Sequence, residues 1–319
     1  MRVRLLTCVG VADDLPLLPH WLDHYAGLGI APADTICLLN ATDAKAPNLL
    51  RAEALLAERG AVAVRWIAPY TSETMWAARR ALQEEHAGPD DWVLSADVDE
   101  FHVYPAPLGE VLAACRAGGI TCLQGPFVDR LGPDGVLAAV SPDRPLAEQF
   151  PVAAEASLSL FGEGRTHNRY GTVKIMAMRG GVMPDRGGHH PQDEWAHRYL
   201  YGAPLAAFGG ITTPRFRFAV PTQVHHYHWT AALPARLERR LATPGVSAAG
   251  AEYGARQLAA LASGRVPLET VALRPEGEAG TGDWKARAAA LRRRAPLIRA
   301  RHAAGRAVRR GLRAARLDR

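Results

Sequence analysis

The chain has 319 residues, 48% of them hydrophobic and 22% charged, which allows a sizeable buried core and excludes wholesale disorder. Its four cysteines lack CxxC spacing, so neither a disulfide framework nor a cysteine-built zinc site is expected. The net charge of +6 is uneven, because residues 285–319 hold 13 Lys or Arg and one acid, which leaves −6 on the rest of the chain.

Strand and helix patterns alternate along the first hundred residues. Apolar runs predict strands at residues 4–11, 35–39, 61–67 and 92–96. Apolar spacing near 3.6 residues predicts helices at residues 15–28, 49–59 and 72–86, the last with Ser72 as its N-cap. Such alternation predicts an α/β fold with a mostly parallel central sheet flanked by helices. Ligands of these sheets bind at the carboxyl ends of the strands.

The pattern is less regular beyond residue 120. It predicts a strand at 172–179, an extended segment at 225–229, and helices at 231–241 and 249–263. Gly and Pro residues predict a linker at 266–284. We therefore expect one domain over residues 1–265 and a basic helical tail over residues 285–319.

Two carboxylates, Asp97 and Asp99, follow the predicted strand at 92–96 with one residue between them. Hard oxygen ligands of this kind suit Mg²⁺ or Mn²⁺. A metal there could bridge the two phosphates of a nucleotide-sugar and stabilise the diphosphate as it leaves. A solvated acidic turn is one alternative. Another is a phosphatase with an aspartyl nucleophile, which normally carries such a motif on its first strand, whereas here it follows the fourth.

The segment Asp97-Val98-Asp99-Glu100-Phe101 resembles the DxDEF signature of family 2-like and family 92-type glycosyltransferases. Three further segments resemble landmarks of those families in order and spacing: Trp21–Tyr25 with Leu28–Ile30, Asn40–Asp43, and His226–His228. The chain departs from the pattern at His20, where Glu is usual, and at Asp13-Asp14, where Asn-Glu is usual.

The resemblance spans about residues 5–240. It implies an A-type glycosyltransferase fold, a nucleoside-diphosphate sugar as donor, and inversion at the anomeric carbon. The implied fold agrees with the α/β sheet that the periodicity alone predicts.

Several side chains are candidates for binding the metal or the donor. His226 and His228 share one face of an extended segment and could join Asp97 and Asp99 as metal ligands. Histidines occur in two clusters, one of His189 and His190 and the other of His225 with His226 and His228. For each of them, a histidine packed in the fold is the alternative. The candidates for donor binding are Asn40, Thr42, Asp43, Asp97 and Lys174. A hydrogen-bonded turn at 40–43 and a solvated strand face at Lys174 are the alternatives.

An inverting transfer needs a carboxylate within hydrogen-bond reach of the acceptor hydroxyl. Asp193 and Glu194 are the candidates for this base, and Asp129 and Glu155 are alternatives to them. Each of these acids could instead be a surface residue without a catalytic role. The aromatic residues that could form an acceptor platform, or pack in the core, are Trp195, Tyr199, Tyr201 and Phe208.

The sequence therefore predicts a metal-dependent glycosyltransferase acting on a glycan or lipid-linked acceptor. A metal-dependent phosphoesterase and a polyanion- or nucleic-acid-binding protein are the alternatives, although a nucleic-acid partner is not expected. No apolar run of about 18 residues occurs, and the apolar start is short for a signal peptide, so we expect a cytoplasmic protein. Its basic tail, with a thin apolar face, could attach peripherally to an anionic inner membrane or remain solvated.

Overall fold

The computed structural model describes residues 2–161, 171–274 and 283–317. The strands are β1 Val3–Gly10, β2 Thr35–Ala41, β3 Val62–Ile67, β4 Trp92–Ser95, β5 Glu100–Val103, β6 Cys122–Leu131, β7 Val152–Glu155, β8 Val173–Arg179, β9 Gln223–His226 and β10 Ala272–Leu273. The α-helices are α1 Leu18–Gly27, α2 Pro47–Glu58, α3 Ser72–His86, α4 Leu108–Ala117, α5 Leu146–Gln149, α6 Ala156–Phe161, α7 Pro214–Phe218, α8 Leu233–Ala242, α9 Ala248–Ala260 and α10 Trp284–Leu317.

One sheet organises the molecule, in the strand order β10-β7-β6-β8-β4-β1-β2-β3. The strands β4, β1, β2 and β3 are parallel, so the predicted parallel sheet flanked by helices is confirmed. Beyond β4 the sheet continues with β8, β6, β7 and β10, each antiparallel to its neighbour. A side branch forms where β9 pairs parallel to β6 and antiparallel to β5.

Strands β1, β2 and β4 are largely buried on both faces, which is why their sequences are continuous apolar runs, whereas the edge strand β3 alternates between half-buried and exposed residues. In β4, Trp92, Val93 and Leu94 are completely buried. The main core cluster includes Trp21 and Tyr25 of α1 together with residues of the sheet, and a second cluster includes Met75 and Trp76 of α3. The four cysteines lie buried as free thiols.

Helix α3 begins one residue earlier than a Ser72 cap would place it. Thr71 is the N-cap: its hydroxyl accepts from the Thr74 amide (3.2 Å), and the Thr74 hydroxyl accepts from the Thr71 amide (3.4 Å). This reciprocal pair is a capping box, which satisfies two amides at the start of the helix. The prediction of Ser72 as N-cap was therefore wrong by one position.

The C-terminal region packs on the body more closely than a linker and free tail would. Val266 and Val271 are buried, and β10 pairs with β7 inside the segment expected to be a linker. Helix α10 confirms the predicted helical tail, and its Trp284 and Ala288 lie in the main core. Apolar and small residues on one face of this helix bring it onto the sheet domain. Within the described residues, no helix combines the length and apolarity that crossing a bilayer requires.

Candidate active site

The segment Asp97-Val98-Asp99, called the acidic triplet below, lies in the short turn between β4 and β5, at the carboxyl end of β4. The Ala96 amide donates to the Leu6 carbonyl of β1 (3.2 Å), and the Glu100 amide donates to the Asp97 carbonyl (2.9 Å). The turn reverses the chain into β5, whose Glu100 stands opposite His226 of β9. The Tyr227 amide also donates to the Asp99 carbonyl (2.7 Å). These backbone contacts bring two segments that are distant in sequence to one edge of the sheet.

Two buried cations hold the Asp97 carboxylate. Lys174 Nζ lies 2.9 Å from Asp97 Oδ2, and Arg79 pairs with Oδ1. Burial opposes ionisation, but Lys174 and Arg79 outweigh it and hold the pKa of Asp97 well below its usual range. Asp97 is therefore a permanent anion, with both oxygens engaged by cations.

Lys174 is shared between Asp97 and Glu100. Its ammonium lies 2.7 Å from Glu100 Oε1, and its side chain is 4% exposed. Burial and the charge of Asp97 raise the pKa of Glu100 to about 7. Lys174 is therefore buried, and not on a solvated strand face, and its ammonium contacts the two carboxylates; the phosphate-binding role predicted for it stays a prediction.

Asp99 faces the two histidines that the sequence predicted as its co-ligands. Its Oδ2 lies 3.8 Å from His226 Nε2 and 3.4 Å from His228 Nδ1. The two imidazole rings stack with centroids 5.0 Å apart, and Phe127 stacks on the far side of His226 at 4.4 Å. The structure thus brings three predicted metal-site residues together at the strand edge.

A second carboxylate fixes the orientation of His226. His226 Nδ1–H donates to Asp129 Oδ1 (2.9 Å), and Asp129 Oδ2 accepts from the Ala156 and Ser157 amides at 2.8 and 3.0 Å. Nε2 of His226 therefore points at Asp99. Burial lowers the pKa of His226, but Asp129 and Asp99 outweigh it and raise that pKa, so a cation that binds Nε2 displaces a proton. A carboxylate behind a histidine is the arrangement that orients imidazole ligands in metal sites.

The lone pair of His228 is occupied. Arg236, a donor only, bonds its Nδ1, so the ring proton resides on Nε2. Burial and the charge of Arg236 lower the pKa of His228 to about 4. His228 is a neutral imidazole whose Nδ1 faces Asp99.

These residues fit a divalent metal ion. The ligand atoms of Asp99, His226 and His228 lie within 4.8 Å of one another, as do those of Asp97, Asp99 and Glu100. Two imidazoles and one carboxylate suit a first-row transition ion such as Mn²⁺ better than Mg²⁺, which takes oxygen ligands. The second group is less suitable, because Lys174 already bridges Asp97 and Glu100.

The residues predicted at the end of β2 lie at the same edge of the sheet, since Asn40 stands opposite Gly10 of β1. The Asn40 amide donates to the Trp66 and Ala68 carbonyls at 3.2 and 3.0 Å, so this side chain secures β3. Thr42 and Asp43 are exposed. Asp43 Oδ1 accepts from the Lys45 amide (2.8 Å), which is the hydrogen-bonded turn that the sequence allowed.

The predicted bases do not join this cluster. Tyr199 forms an isolated parallel β-bridge with Cys122 at the start of β6. The Tyr199 hydroxyl donates to the Glu194 carbonyl (2.8 Å). Register places this end of β6 beside the start of β4, the opposite end from the triplet. Glu194, with its neighbour Asp193, therefore lies near the start of β6, and the role of base stays a prediction for both.

The alternative bases and the residues of the predicted aromatic platform make contacts within the fold. Asp129 positions His226, and Glu155 accepts from the Ser159 amide (3.0 Å) at the start of α6. Buried core positions are occupied by Tyr199, Tyr201 and Phe208, and Trp195 stacks on His302 of α10 with centroids 3.8 Å apart. His225 faces away from His226 across the strand, and burial lowers its pKa to about 3.

Sequence reasoning missed three charged residues of the site: Arg79, Arg236 and Asp14. Arg79 is 2% exposed and also donates to the Ser95 hydroxyl (2.7 Å). Its guanidinium carbon lies 4.5 Å from the centroid of the Trp76 ring. The Trp76–Arg79 spacing of three on a predicted helix could have indicated that pair. Asp14 accepts from the Gly10 amide (2.8 Å), and burial raises its pKa to about 7.

Comparison with known proteins gives only distant structural likenesses. No protein-family model matches the chain, and no curated protein matches its sequence. It is similar to TarS 1-349 of S. aureus, with a TM-score of 0.36 and 12% identity over 82% of this chain and 72% of that one.

Two further enzymes are similar at a lower level. A 4-diphosphocytidyl-2C-methyl-D-erythritol synthase has a TM-score of 0.27 and 13% identity, over 59% of this chain and 84% of its own. A mannose-1-phosphate geranyltransferase from Thermus thermophilus has a TM-score of 0.25 and 17% identity, over 43% of this chain and 44% of its own. Likeness at these levels carries no weight for function, which has to be inferred from the site itself.

Proposed function

We propose that the chain is a glycosyltransferase with an A-type fold that uses a nucleoside-diphosphate sugar. The observation that carries the proposal is the convergence of Asp99, His226 and His228 at the carboxyl end of a parallel strand, where α/β sheets bind ligands. The DxDEF-like segment Asp97–Phe101 supports the same assignment by resemblance.

Asp99, His226 and His228 would hold a divalent ion, with Mn²⁺ favoured over Mg²⁺ by the two imidazoles. Such an ion, when bound, neutralises the diphosphate that leaves the sugar. Asp97 serves the site by fixing the acidic turn through Lys174 and Arg79. The exposed Thr42 and Asp43 are our candidates for contacts with the nucleoside, since they lie at the same sheet edge. Inversion at the anomeric carbon is part of the proposal and is tested by the configuration of the product.

A phosphoesterase is less well supported. Two-metal hydrolysis needs ions roughly 4 Å apart, held by separate ligands. The second carboxylate group here, Asp97 with Glu100, is bridged by the Lys174 ammonium. A buried permanent cation at that position disfavours a second metal ion by charge repulsion.

A donor-binding screen tests the proposed function directly. UDP-, GDP-, CMP- and dTDP-sugars are titrated against the full chain with Mn²⁺ and with EDTA, and thermal stabilisation is recorded. We expect one donor to stabilise the protein in Mn²⁺ and not in EDTA. Stabilisation by none of them, or equal stabilisation in EDTA, would contradict the metal-dependent donor site.

Matched histidine variants test the site assignment. His226→Ala removes a proposed metal ligand, whereas His190→Ala changes a histidine that lies 3.8 Å from Asp185. We expect donor stabilisation in Mn²⁺ to be lost in the first variant and retained in the second. Equal losses would indicate that His226 contributes only packing.

We further propose that α10 attaches the enzyme to an anionic membrane surface, where a lipid-linked acceptor would be found. A cleft of about 680 Å³ beside this helix is lined by Arg293, Arg294 and Arg301 together with Leu297 and Ile298. Cationic and apolar side chains side by side suit the interface of an acidic bilayer. Each arginine near such a surface contributes about 1 kcal/mol.

Vesicle sedimentation tests this attachment. Replacing Arg293, Arg294 and Arg301 with Gln should weaken binding to phosphatidylglycerol vesicles about 100-fold, the equivalent of about 3 kcal/mol. The matched control carries Gln at three exposed arginines of the body, Arg51, Arg144 and Arg186. Equal losses in both variants would show that net charge alone, and not α10, determines the binding.

A further inference from the structure

Helix α8 directs a guanidinium group into the proposed metal site. Arg236 Nη1 lies 3.5 Å from Asp99 Oδ2 and 3.9 Å from Asp14 Oδ1. Arg236 Nη2 donates to His228 Nδ1 (2.5 Å). One turn further along α8, Arg239 pairs with Asp13, so two Arg–Asp pairs connect this helix to the loop after β1.

The atoms that Arg236 contacts are those that a metal ion would need. Asp99 Oδ2 is the oxygen nearest both histidines, and Nδ1 is the nitrogen of His228 that faces Asp99. A lone pair on an imidazole nitrogen can accept one hydrogen bond or bind one metal ion, but not both. Guanidinium is permanently charged, so its charge also repels a divalent cation nearby.

We propose that Arg236 is a built-in competitor of the metal ion, which occupies Asp99 and His228 and thereby lowers the affinity of the site. Metal binding requires Arg236 to leave these two side chains, and Asp14 is the neighbouring carboxylate to which it can turn. The inference rests on the metal site of the proposed function. It adds that a residue of α8, outside the ligand set, determines how tightly the ion is held.

The experiment measures Mn²⁺ binding to the full chain without any donor, by the electron paramagnetic resonance signal of free Mn²⁺. We expect Arg236→Gln to bind Mn²⁺ at least tenfold more tightly than the wild type. Arg239→Gln is the matched control, because it breaks the neighbouring ion pair on the same helix and leaves Asp99 and His228 untouched. We expect its affinity to stay within about twofold of the wild type.

Thermal melts of each variant in EDTA establish that the fold is kept. If Arg236→Gln does not fold, Arg236→Lys serves instead, since its single ammonium cannot reach both partners as the guanidinium fork does. A gain of at least threefold is then expected. An unchanged or weaker Mn²⁺ affinity in the Arg236 variant, or an equal gain in Arg239→Gln, would overturn the proposal.

The outcome is separable from that of the proposed function. Tighter Mn²⁺ binding in Arg236→Gln supports the competition even if no nucleotide-sugar binds. Conversely, metal-dependent donor binding with no change in the affinity of Arg236→Gln leaves the glycosyltransferase proposal standing and rejects the role of Arg236.

Discussion

At the scale of single residues, buried charged groups support the proposed site. Asp129 bonds His226, and Lys174 bonds both Asp97 and Glu100. The supporting groups are more deeply buried than a surface ion pair, and so each has a larger effect when it is removed.

Asp129→Asn is expected to lower Mn²⁺ affinity about 10- to 100-fold, because the ring of His226 loses the carboxylate that orients it. Calorimetric titration of Mn²⁺ into the variant measures the effect. Asp193→Asn, at an exposed acid near the opposite end of β4, is the control. If the two variants bind Mn²⁺ equally well, Asp129 has no orienting role.

Glu100 is expected to make stability depend on pH. Burial and the charge of Asp97 raise its pKa from 4.5 to about 7 in the folded chain, so the folded state binds this proton more tightly than the unfolded state. The stability it contributes is fully present below about pH 4.5 and is lost as the pH rises through about 7. In EDTA, the free energy of unfolding should therefore fall less between pH 5 and 8 in Glu100→Gln than in the wild type.

Urea unfolding at the two pH values gives the comparison, with Glu148→Gln at an exposed position as control. We expect the free energy of unfolding of Glu148→Gln to change between the two pH values as much as that of the wild type. That of Glu100→Gln should change less. Parallel slopes in all three proteins would show that Glu100 does not titrate in this range.

At the scale of elements, the ends of helices and strands determine where functional side chains stand. β5 follows the triplet directly and pairs with β9, which brings His226 opposite Glu100. Helix α3 supplies Arg79 and Trp76. The position of this helix therefore determines where the guanidinium group that binds Asp97 lies.

Thr71→Ala is expected to lower the free energy of unfolding by about 1 kcal/mol, since it removes the side-chain cap of α3. Ser72→Ala, one residue along, should change it by no more than about 0.5 kcal/mol. Urea denaturation of both variants at one pH is sufficient. A larger effect at Ser72 than at Thr71 would contradict the observed capping box.

At the scale of the whole molecule, the basic C-terminal helix belongs partly to the fold. Trp284, Ala288 and Ala295 lie in the same core cluster as the parallel strands, and Arg299 donates to the Gly202 and His197 carbonyls at 2.7 and 3.0 Å. The proposed catalytic unit therefore needs the first turns of α10 as well as residues 1–265.

Two truncations distinguish these parts. Ending the chain at Gly282 removes Trp284 from the core. The free energy of unfolding should then fall by at least about 3 kcal/mol, because losing a buried Trp or Phe side chain typically costs about 3–5 kcal/mol. Ending it at Gly305 keeps the packed turns and should leave the melting temperature nearly unchanged. Equal melting temperatures for both truncated chains would show that α10 does not contribute to the core.

The local features of this protein could be predicted from its sequence. The four parallel strands, the helices between them, and the acidic triplet after β4 follow from apolar periodicity, which depends on residues within a few positions of one another. The pairing of Asp99 with His226 and His228 was also anticipated, because two histidines at i and i+2 share a face of an extended segment.

Only the tertiary structure decided what each charged group does. The pairing of β9 with β6 places Asp129 beside His226, the pairings of β8 with β6 and β4 bring Lys174 to Asp97, and α8 brings Arg236 to His228. The contacts of Tyr199 with Cys122 and Glu194 leave Glu194 beside the start of β6, away from the triplet. Such long-range pairings depend on how whole elements pack, and the electrostatic role of a buried charge depends on the neighbours that this packing supplies.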